Sequence, residues 1–287
     1  MSQVASIRNT IHSTKKTQKI TRAMELVAAS KLVKCHQQQA KSVAYASAME
    51  KLIYHLSSAR PEFRHPFLYP NAHSNRVGYL VISSDRGLCG SLNSALFKQL
   101  FQHSLDQKKQ GHESVFVPVG QKAVQALKRY GGEILAQQVH LSDRPDPSKV
   151  YGLVKVLIDE YQSQRLDAVY LVYNQFISTM KQVPTISPLV PLTLHKKQQS
   201  EQTWDYLYEP NAQDVLNFLL VRYVETLAYQ SVIENIASEQ AARMVAMKQA
   251  TDNAGGIIDD LKLAYNKARQ SAITRELAEI VGGAEAV

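Results

Sequence analysis

The residues best placed to do chemistry form the string SDRGLCG at 84–90, directly after the apolar run at 77–82. A glycine-rich turn between a strand and a helix cradles phosphate when it reads G-x4-G-K-S/T, or a dinucleotide when it reads G-x-G-x-x-G, because glycines let backbone N–H groups approach the anion. Gly87 and Gly90 are three residues apart and no lysine follows, so neither pattern is met. The string reads as a tight strand-to-helix turn that places Asp85 and Arg86 at an interface. Cys89 would be a nucleophile only with a base beside it, and no histidine is near in sequence. The nine histidines include no H-x3-H or H-E-x-x-H pair, so no metal site is expected. Adjacent Asp259 and Asp260 point about 100° apart on a helix and cannot share a substrate, which leaves them solvated. Cys35 and Cys89 are too few for a disulfide framework and read as free thiols in a reducing compartment.

Charge offers a second kind of chemistry. The first sixty residues hold ten basic and two acidic side chains, so the entire net charge of +8 sits there, while 61–287 is balanced. Such a segment attracts an acidic partner, and composition alone leaves nucleic acid, anionic lipid and an acidic protein surface open. Aromatic interleaving, which nucleic-acid readers use, is limited to Tyr45 and Tyr54. There is no apolar h-region of a secretory signal and no run of 18 apolar residues, so a bilayer-spanning helix is not expected.

The elements that position these groups follow from glycine and proline placement. All ten prolines fall between Pro61 and Pro210, and no glycine precedes Gly78. Both residues are costly inside helices, by about 3 and 1 kcal/mol, so the two ends of the chain are free to form long helices. From residue 2 to about 59, a stripe Val4, Ile7, Ile11, Thr14, Gln18, Thr21, Glu25, Ala28, Leu32, Cys35 and onward to Leu56 is apolar at 10 of 16 positions. Across its polar gap, Ile20, Ala23, Met24 and Val27 are expected to take over as the seam drifts. A rod of this length, about 85 Å, needs a partner helix. The candidate is 211–281, with its own stripe through Ala250, Ala254, Ile257, Leu261 and Ala264, a net charge of −3 over 211–287, and Gly255–Gly256 as the place for a bend or loosened turn.

Between the helices the pattern alternates. Strands are expected at 77–82, 114–119 and 168–176, with a short one in 133–139. Helices are expected at 92–107, 121–130 and 148–165, and a proline-punctuated extended segment at 183–194 suits a sheet edge. The fold class is therefore α/β with a long α-helical coiled coil: an antiparallel two-helix coiled coil of the terminal segments plus a central, mostly parallel open α/β sheet. The expected organisation is an N-terminal helix at 1–60, a linker at 61–76, an α/β domain at 77–195, a polar loop at 196–210 and a C-terminal helix at 211–287.

Four strings carry a resemblance far more specific than composition: TQKITRAMELVAASK at 17–31, SDRGLCG at 84–90, EQAARMVAMKQATDN at 239–253 and YNKARQSAITRELAEIV at 265–281. They closely resemble the gamma subunit of bacterial F-type ATP synthase, and the resemblance runs essentially from end to end. It implies a non-catalytic rotor shaft that binds no cofactor itself. Mg-ATP, ADP and phosphate would be held by partner alpha and beta subunits in a hexameric ring, and the α/β domain would be a foot meeting the epsilon subunit and the c-ring. In that family the region of Met24 and Arg243 meets an acidic helix-loop of beta, and Arg269, Gln270 and Thr274 lie in a catch-loop near the upper bearing. The segment WDYLYEP at 204–210 resembles the family's stretch near epsilon and the c-ring, which makes Tyr206, Tyr208 and Glu209 candidate contacts. The resemblance implies no nucleic-acid partner and a peripheral position on the cytoplasmic face of the inner membrane. Departures occur at Leu26, where many members have Met, and at Val33, Lys34, Cys35 and His36, which replace a more basic run. The absence of an inserted cysteine pair argues against the redox-regulated chloroplast form, and a family pattern already under way by Ile7 leaves no room for a mitochondrial transit peptide.

Overall fold

The computed structural model describes residues 2–59, 65–69, 74–142, 145–192 and 212–285. Its elements in chain order are helix α1 (Ser2–Ala59), strand β1 (Arg76–Ile82), α2 (Leu92–Lys109), β2 (Glu113–Val119), α3 (Gln121–Tyr130), β3 (Glu133–Ile134), α4 (Pro147–Gln162), β4 (Ala168–Phe176), β5 (Gln182–Val190) and α5 (Ala212–Glu285). The chain divides into two compact units, one of Met1–Ala29 with Arg243–Val287 and the other of Ser30–Ala242. Helices α1 and α5 contribute to both.

The larger unit is built on a five-stranded sheet of order β3-β2-β1-β4-β5. Strand β1 pairs in parallel with β2 and β4, β3 is parallel to β2, and only β5 runs antiparallel, against β4. The central strand is buried along nearly its whole length, which is why residues 77–82 read as a continuous apolar run. Its residues alternate between two cores. Val77, Tyr79 and Val81 face Leu96 and Leu100 of α2 and Ala123 and Leu127 of α3. Leu80 and Ile82 face the other way, into a core with Val154 and Leu157 of α4, Leu220 and Val224 of α5, and Met49 and Ile53 of α1. Helix α4 starts at Pro147 because Asp146 caps it, accepting from Ser148 N at 3.0 Å. The expected edge at 183–194 is a full strand, with Pro184 and Pro188 opposite Asn174 and Tyr170. The expected strand at 133–139 shrinks to two residues and one bridge, Val119 with Gln138.

Within the smaller unit α1 and α5 run antiparallel. Thr21 meets Thr251, and the stretch from Val4 to His12 lies beside Tyr265 to Glu276. The helix pair corrects three expectations. It does not drift to Ile20, Ala23 and Val27: these are exposed, Ile20 by 59% and Val27 by 54%. The original stripe stays inward through its polar residues, because Thr21 Oγ1 and Thr251 Oγ1 share a hydrogen bond of 2.7 Å and Gln18 Nε2 donates to Thr251 O at 3.4 Å. On α5 the buried stripe after Ala254 continues at Ile258, not at the exposed Ile257, and Ala264 and Ser271 face outward. Nor does a turn loosen at Gly255–Gly256, where α5 stays helical. In the larger unit the same two helices meet where Gln38 Nε2 donates to Tyr229 Oη at 3.2 Å.

Candidate functional site

In open parallel sheets ligands bind where neighbouring strands lead to opposite faces, beyond their carboxyl ends, and here that place lies between β1 and β4. Next to it, beyond the adjoining ends of β1 and β2, the protein bonds its own groups to one another. Asp85 Oδ1 accepts from Gln121 N at 2.9 Å and from His140 N at 3.1 Å, and Ser83 Oγ accepts from Ala123 N at 2.8 Å. The N-terminal amides of α3 that would otherwise receive an anion are thus engaged by protein oxygens. Gly120 makes this closure possible: its φ is +95° and a Cβ there would stand 2.4 Å from Ser83 O. Asn93 ties the turn down, with Nδ2 donating to Ser84 Oγ at 2.7 Å and Oδ1 accepting from Ser84 N at 3.3 Å. Cys89 is buried beside Ser84 and Asn93, Cys35 is buried in α1, and neither forms a disulfide. Asp85 thus caps the start of α3.

On the β4 side, α5 closes the crevice. Asn235 Oδ1 accepts from Asn174 N at 3.2 Å and from Asn174 Nδ2 at 3.0 Å, and Phe176 N donates to Glu234 Oε1 at 3.2 Å. Burial holds the Glu234 carboxyl above its ordinary range, against the opposing pull of that backbone donor. Among the described residues no group of three or more His, Cys, Asp or Glu side chains is arranged to hold a metal. Asp259 and Asp260 are exposed, and Asp259 pairs with Lys262 at 2.7 Å.

What the described residues do display is helical surface. On α1 of the smaller unit, Ile20, Ala23 and Val27 form an uncovered apolar stripe at helical spacing with the half-buried Met24, and Leu26 adds to it. Arg243 is only 9% exposed. Farther along α5, Arg269 lines an open groove with Arg8, His12, Tyr265 and Glu276. Gln270 and Thr274 are exposed, and Thr274 Oγ1 donates back to Gln270 O at 3.0 Å. Met24 and Arg243 therefore lie in one unit with Arg269, Gln270 and Thr274, on separate stretches of it. Tyr206, Tyr208 and Glu209 lie outside the described residues, as does the expected loop at 196–210.

The sequence profile of the family described as ATP synthase matches residues 3–287. An ATP synthase gamma chain of Nitrosococcus oceani is 50% identical over 290 residues, covering 100% of both chains. The chain belongs to the ATP synthase gamma-chain family. Solved structures agree in fold. A chain from the rotor of the Euglena gracilis mitochondrial ATP synthase in rotational state 1 matches with a TM-score of 0.62 at 17% identity, over 95% of this chain and 99% of that one. One from the OSCP/F1/c-ring assembly in rotational state 3 matches with a TM-score of 0.65 at 19% identity, over 99% and 94%. A third, from the central stalk and c-ring of the Tetrahymena thermophila mitochondrial enzyme, gives 0.61 at 22% identity, over 80% and 99%.

Three features of the described residues escape sequence reasoning. The uncovered stripe was assigned to the seam, although the unbroken spacing of the polar positions 14, 18, 21 and 25 was the signal that the seam continued through them. The Asp85 cap and the Asn174–Asn235 pair join residues 36 and 61 apart and leave no local pattern.

Proposed function

We propose that this chain is the central rotor shaft of an F-type ATP synthase, coupling proton-driven rotation of the membrane c-ring to conformational cycling of the catalytic beta subunits, and in reverse driving proton pumping by ATP hydrolysis. The observation that carries the reading is the uncovered apolar stripe through Ile20 and Val27 on a helix pair whose seam is already closed. A monomer gains nothing from such a stripe, while a surrounding ring of alpha and beta subunits would cover it with contacts that have no preferred angle. The chain itself catalyses nothing. It biases which beta site is open and which is closed by binding their states unequally, while Mg-ATP, ADP and phosphate are held by alpha and beta.

In this reading residues 1–60 and 211–287 form the shaft and 77–195 the foot. Met24 and Arg243 are the coupling contact with beta, and Arg269, Gln270 and Thr274 form the bearing contact. Tyr206, Tyr208 and Glu209 meet epsilon or the c-ring, which holds the protein at the cytoplasmic face of the inner membrane as a peripheral subunit. The family membership supports this, as do the neighbours in rotor and central-stalk assemblies. The test is reconstitution with purified alpha and beta subunits, followed by Mg-ATP hydrolysis and rotation of a probe. Cys89 is too buried to carry the probe, so a cysteine in place of Met180, which is 78% exposed, is the attachment point. Stepwise rotation that requires this chain is expected. Absence of assembly, with the chain alone binding nucleotide or nucleic acid, overturns the reading.

A further inference from the structure

Helix α5 crosses the carboxyl end of β4 where the sheet runs out of partners. Strand β1 pairs with β4 only as far as Val81 with Val172, and β4 continues to Phe176. On its other edge, Asn174 and Tyr170 stand opposite Pro184 and Pro188, which have no N–H to give. Main-chain groups alternate sides along a strand, so those of Asn174 and Phe176 point towards the gap that β1 has left. Three α5 side chains from two successive turns fill it. Asn235 Oδ1 takes the Asn174 N–H at 3.2 Å and its Nδ2 at 3.0 Å, Ser238 Oγ donates to Asn174 O at 2.8 Å, and Glu234 Oε1 accepts from Phe176 N at 3.2 Å. All four α5 and β4 side chains involved, at 174, 234, 235 and 238, are buried.

Elsewhere in this unit α5 packs mainly through apolar side chains such as Leu220, Val224 and Val232, with Tyr229 Oη hydrogen-bonded to Gln38 Nε2 and Pro145 O. Apolar contact is non-directional and tolerates a helix that creeps or rolls on its bed. Hydrogen bonds to fixed backbone groups do not: a slip of one residue moves each donor and acceptor by about 1.5 Å along the axis and 100° around it, which breaks every one of them. The lock is also imperfect in a telling way, since Asn174 Oδ1 and Asn235 Nδ2 are buried with no partner among the described residues. An apolar residue at 235 would leave the buried Asn174 N–H without an acceptor, so Asn235 supplies both the missing partner and a fixed geometry.

We propose that Asn235 and Ser238 key α5 to the sheet and are positioning residues for the transfer of torque between the α/β domain and the helix. This rests on the rotor reading. The test uses the membrane-assembled enzyme with Asn235→Ala and Ser238→Ala, singly and together, assayed for ATP hydrolysis and for ATP-driven proton pumping. Hydrolysis is expected to stay close to the parent's while most of the pumping per ATP hydrolysed is lost. Hydrogen exchange on the full chain reports the lock directly: amide 174, whose acceptor is Asn235 Oδ1, exchanges faster in the Asn235→Ala variants while Leu171 and Val172 do not change. If Asn235→Ala loosens the whole sheet, Ser238→Ala, which leaves the Asn235 bonds in place, carries the test. Unchanged pumping per ATP in Asn235→Ala with amide 174 deprotected, or in Ser238→Ala, overturns the lock, as does a proportional fall of hydrolysis and pumping together. A parent chain that restores no pumping at all overturns the rotor reading, and the lock with it.

Discussion

Replacing Thr21 or Thr251 by valine removes a hydroxyl from the seam of the smaller unit while keeping volume, β-branching and helix propensity nearly constant. The two oxygens are 2.7 Å apart, and each also lies near a carbonyl of its own helix, Thr21 with Gln18 O at 3.0 Å and Thr251 with Met247 O at 2.8 Å. Two hydroxyls carry two protons, so one serves a carbonyl and the other bridges the helices. In either single variant the surviving hydroxyl keeps its own-helix acceptor and loses the bridge. The cost then falls at the low end for a buried polar group, about 1 kcal/mol, because Thr21 is 9% exposed. In the double variant no hydroxyl is stranded and two methyl groups face each other, which returns stability to within about 0.5 kcal/mol of the parent. The coupling between the two sites is therefore about 2 kcal/mol of non-additivity. Native-state hydrogen exchange at amides 18–25 and 247–255 reads it as local opening. Each single variant accelerates exchange roughly fivefold, and the double variant restores it. Additive losses, with the double variant exchanging on the order of thirtyfold faster, would refute the cross-helix bond as what holds the polar seam inward.

Other positions give shorter tests. Gly120→Ala forces an alanine into φ +95° with its Cβ 2.4 Å from Ser83 O, and should lower the stability of the α/β domain by on the order of 3 kcal/mol, read as a fall in the urea midpoint; an unchanged midpoint contradicts the close approach. Burial, partly opposed by a hydrogen bond with Asn217, lowers the His65 pKa from 6.5 to about 4. The unfolded ring takes up its proton near pH 6.5 and the folded ring only near 4, so stability from the neutral ring is fully present above pH 6.5 and is lost as pH falls towards 4. The parent's urea midpoint should drop across that window more steeply than that of His65→Gln, and parallel profiles would remove His65 from the account. Ile20→Asp and Val27→Asp should leave the free chain within about 0.5 kcal/mol of the parent, yet weaken its assembly with alpha and beta by about 1.5–3 kcal/mol per side chain, measured by titrating reconstituted hydrolysis. Equal titration curves would mean that the ring does not cover this stripe.

Most of the α/β elements were legible because each carries a local signal. Buried β1 and β4 are continuous apolar runs, and α3 ends at Gly131 in a left-handed cap. The helix pair was legible as a pair, but its seam was not. Counting apolar residues favours Ile20 and Val27 over Thr21 and Gln18, and nothing in one helix's sequence reveals that a threonine waits across the seam. Ile257 and Ile258 are equally apolar neighbours, so periodicity alone does not choose which turns inward, and packing chose Ile258. Gly255 and Gly256 lower helix propensity by about 1 kcal/mol each, too little to interrupt a helix of 74 residues held by its partner. Of the candidate site, Met24, Arg243, Arg269, Gln270 and Thr274 came from the family resemblance, since no local pattern marks a residue whose partner belongs to another chain.

The placement of directional and non-directional contacts follows one logic. An ordinary soluble helix pair turns its apolar residues inward and its polar residues out. Around Thr21 the smaller unit does the reverse, with hydroxyls bonded across the seam and isoleucine and valine left outside. At the end of β4 the larger unit again spends polar side chains inside, on the main-chain groups of Asn174 and Phe176 that no neighbouring strand takes up. Directional bonds resist slip and cost little if the groups they join never separate. Apolar contact favours closeness without favouring an angle. A part that must hold its own register while turning against its neighbours needs the first kind inside and the second kind outside, and a static scaffold needs no such inversion. The Thr21–Thr251 bridge and the Asn174–Asn235 lock should therefore matter most when torque is applied. Variants at both sites should show their largest defects under load, as lost pumping against a proton gradient, and smaller ones in hydrolysis by the soluble alpha, beta and gamma complex.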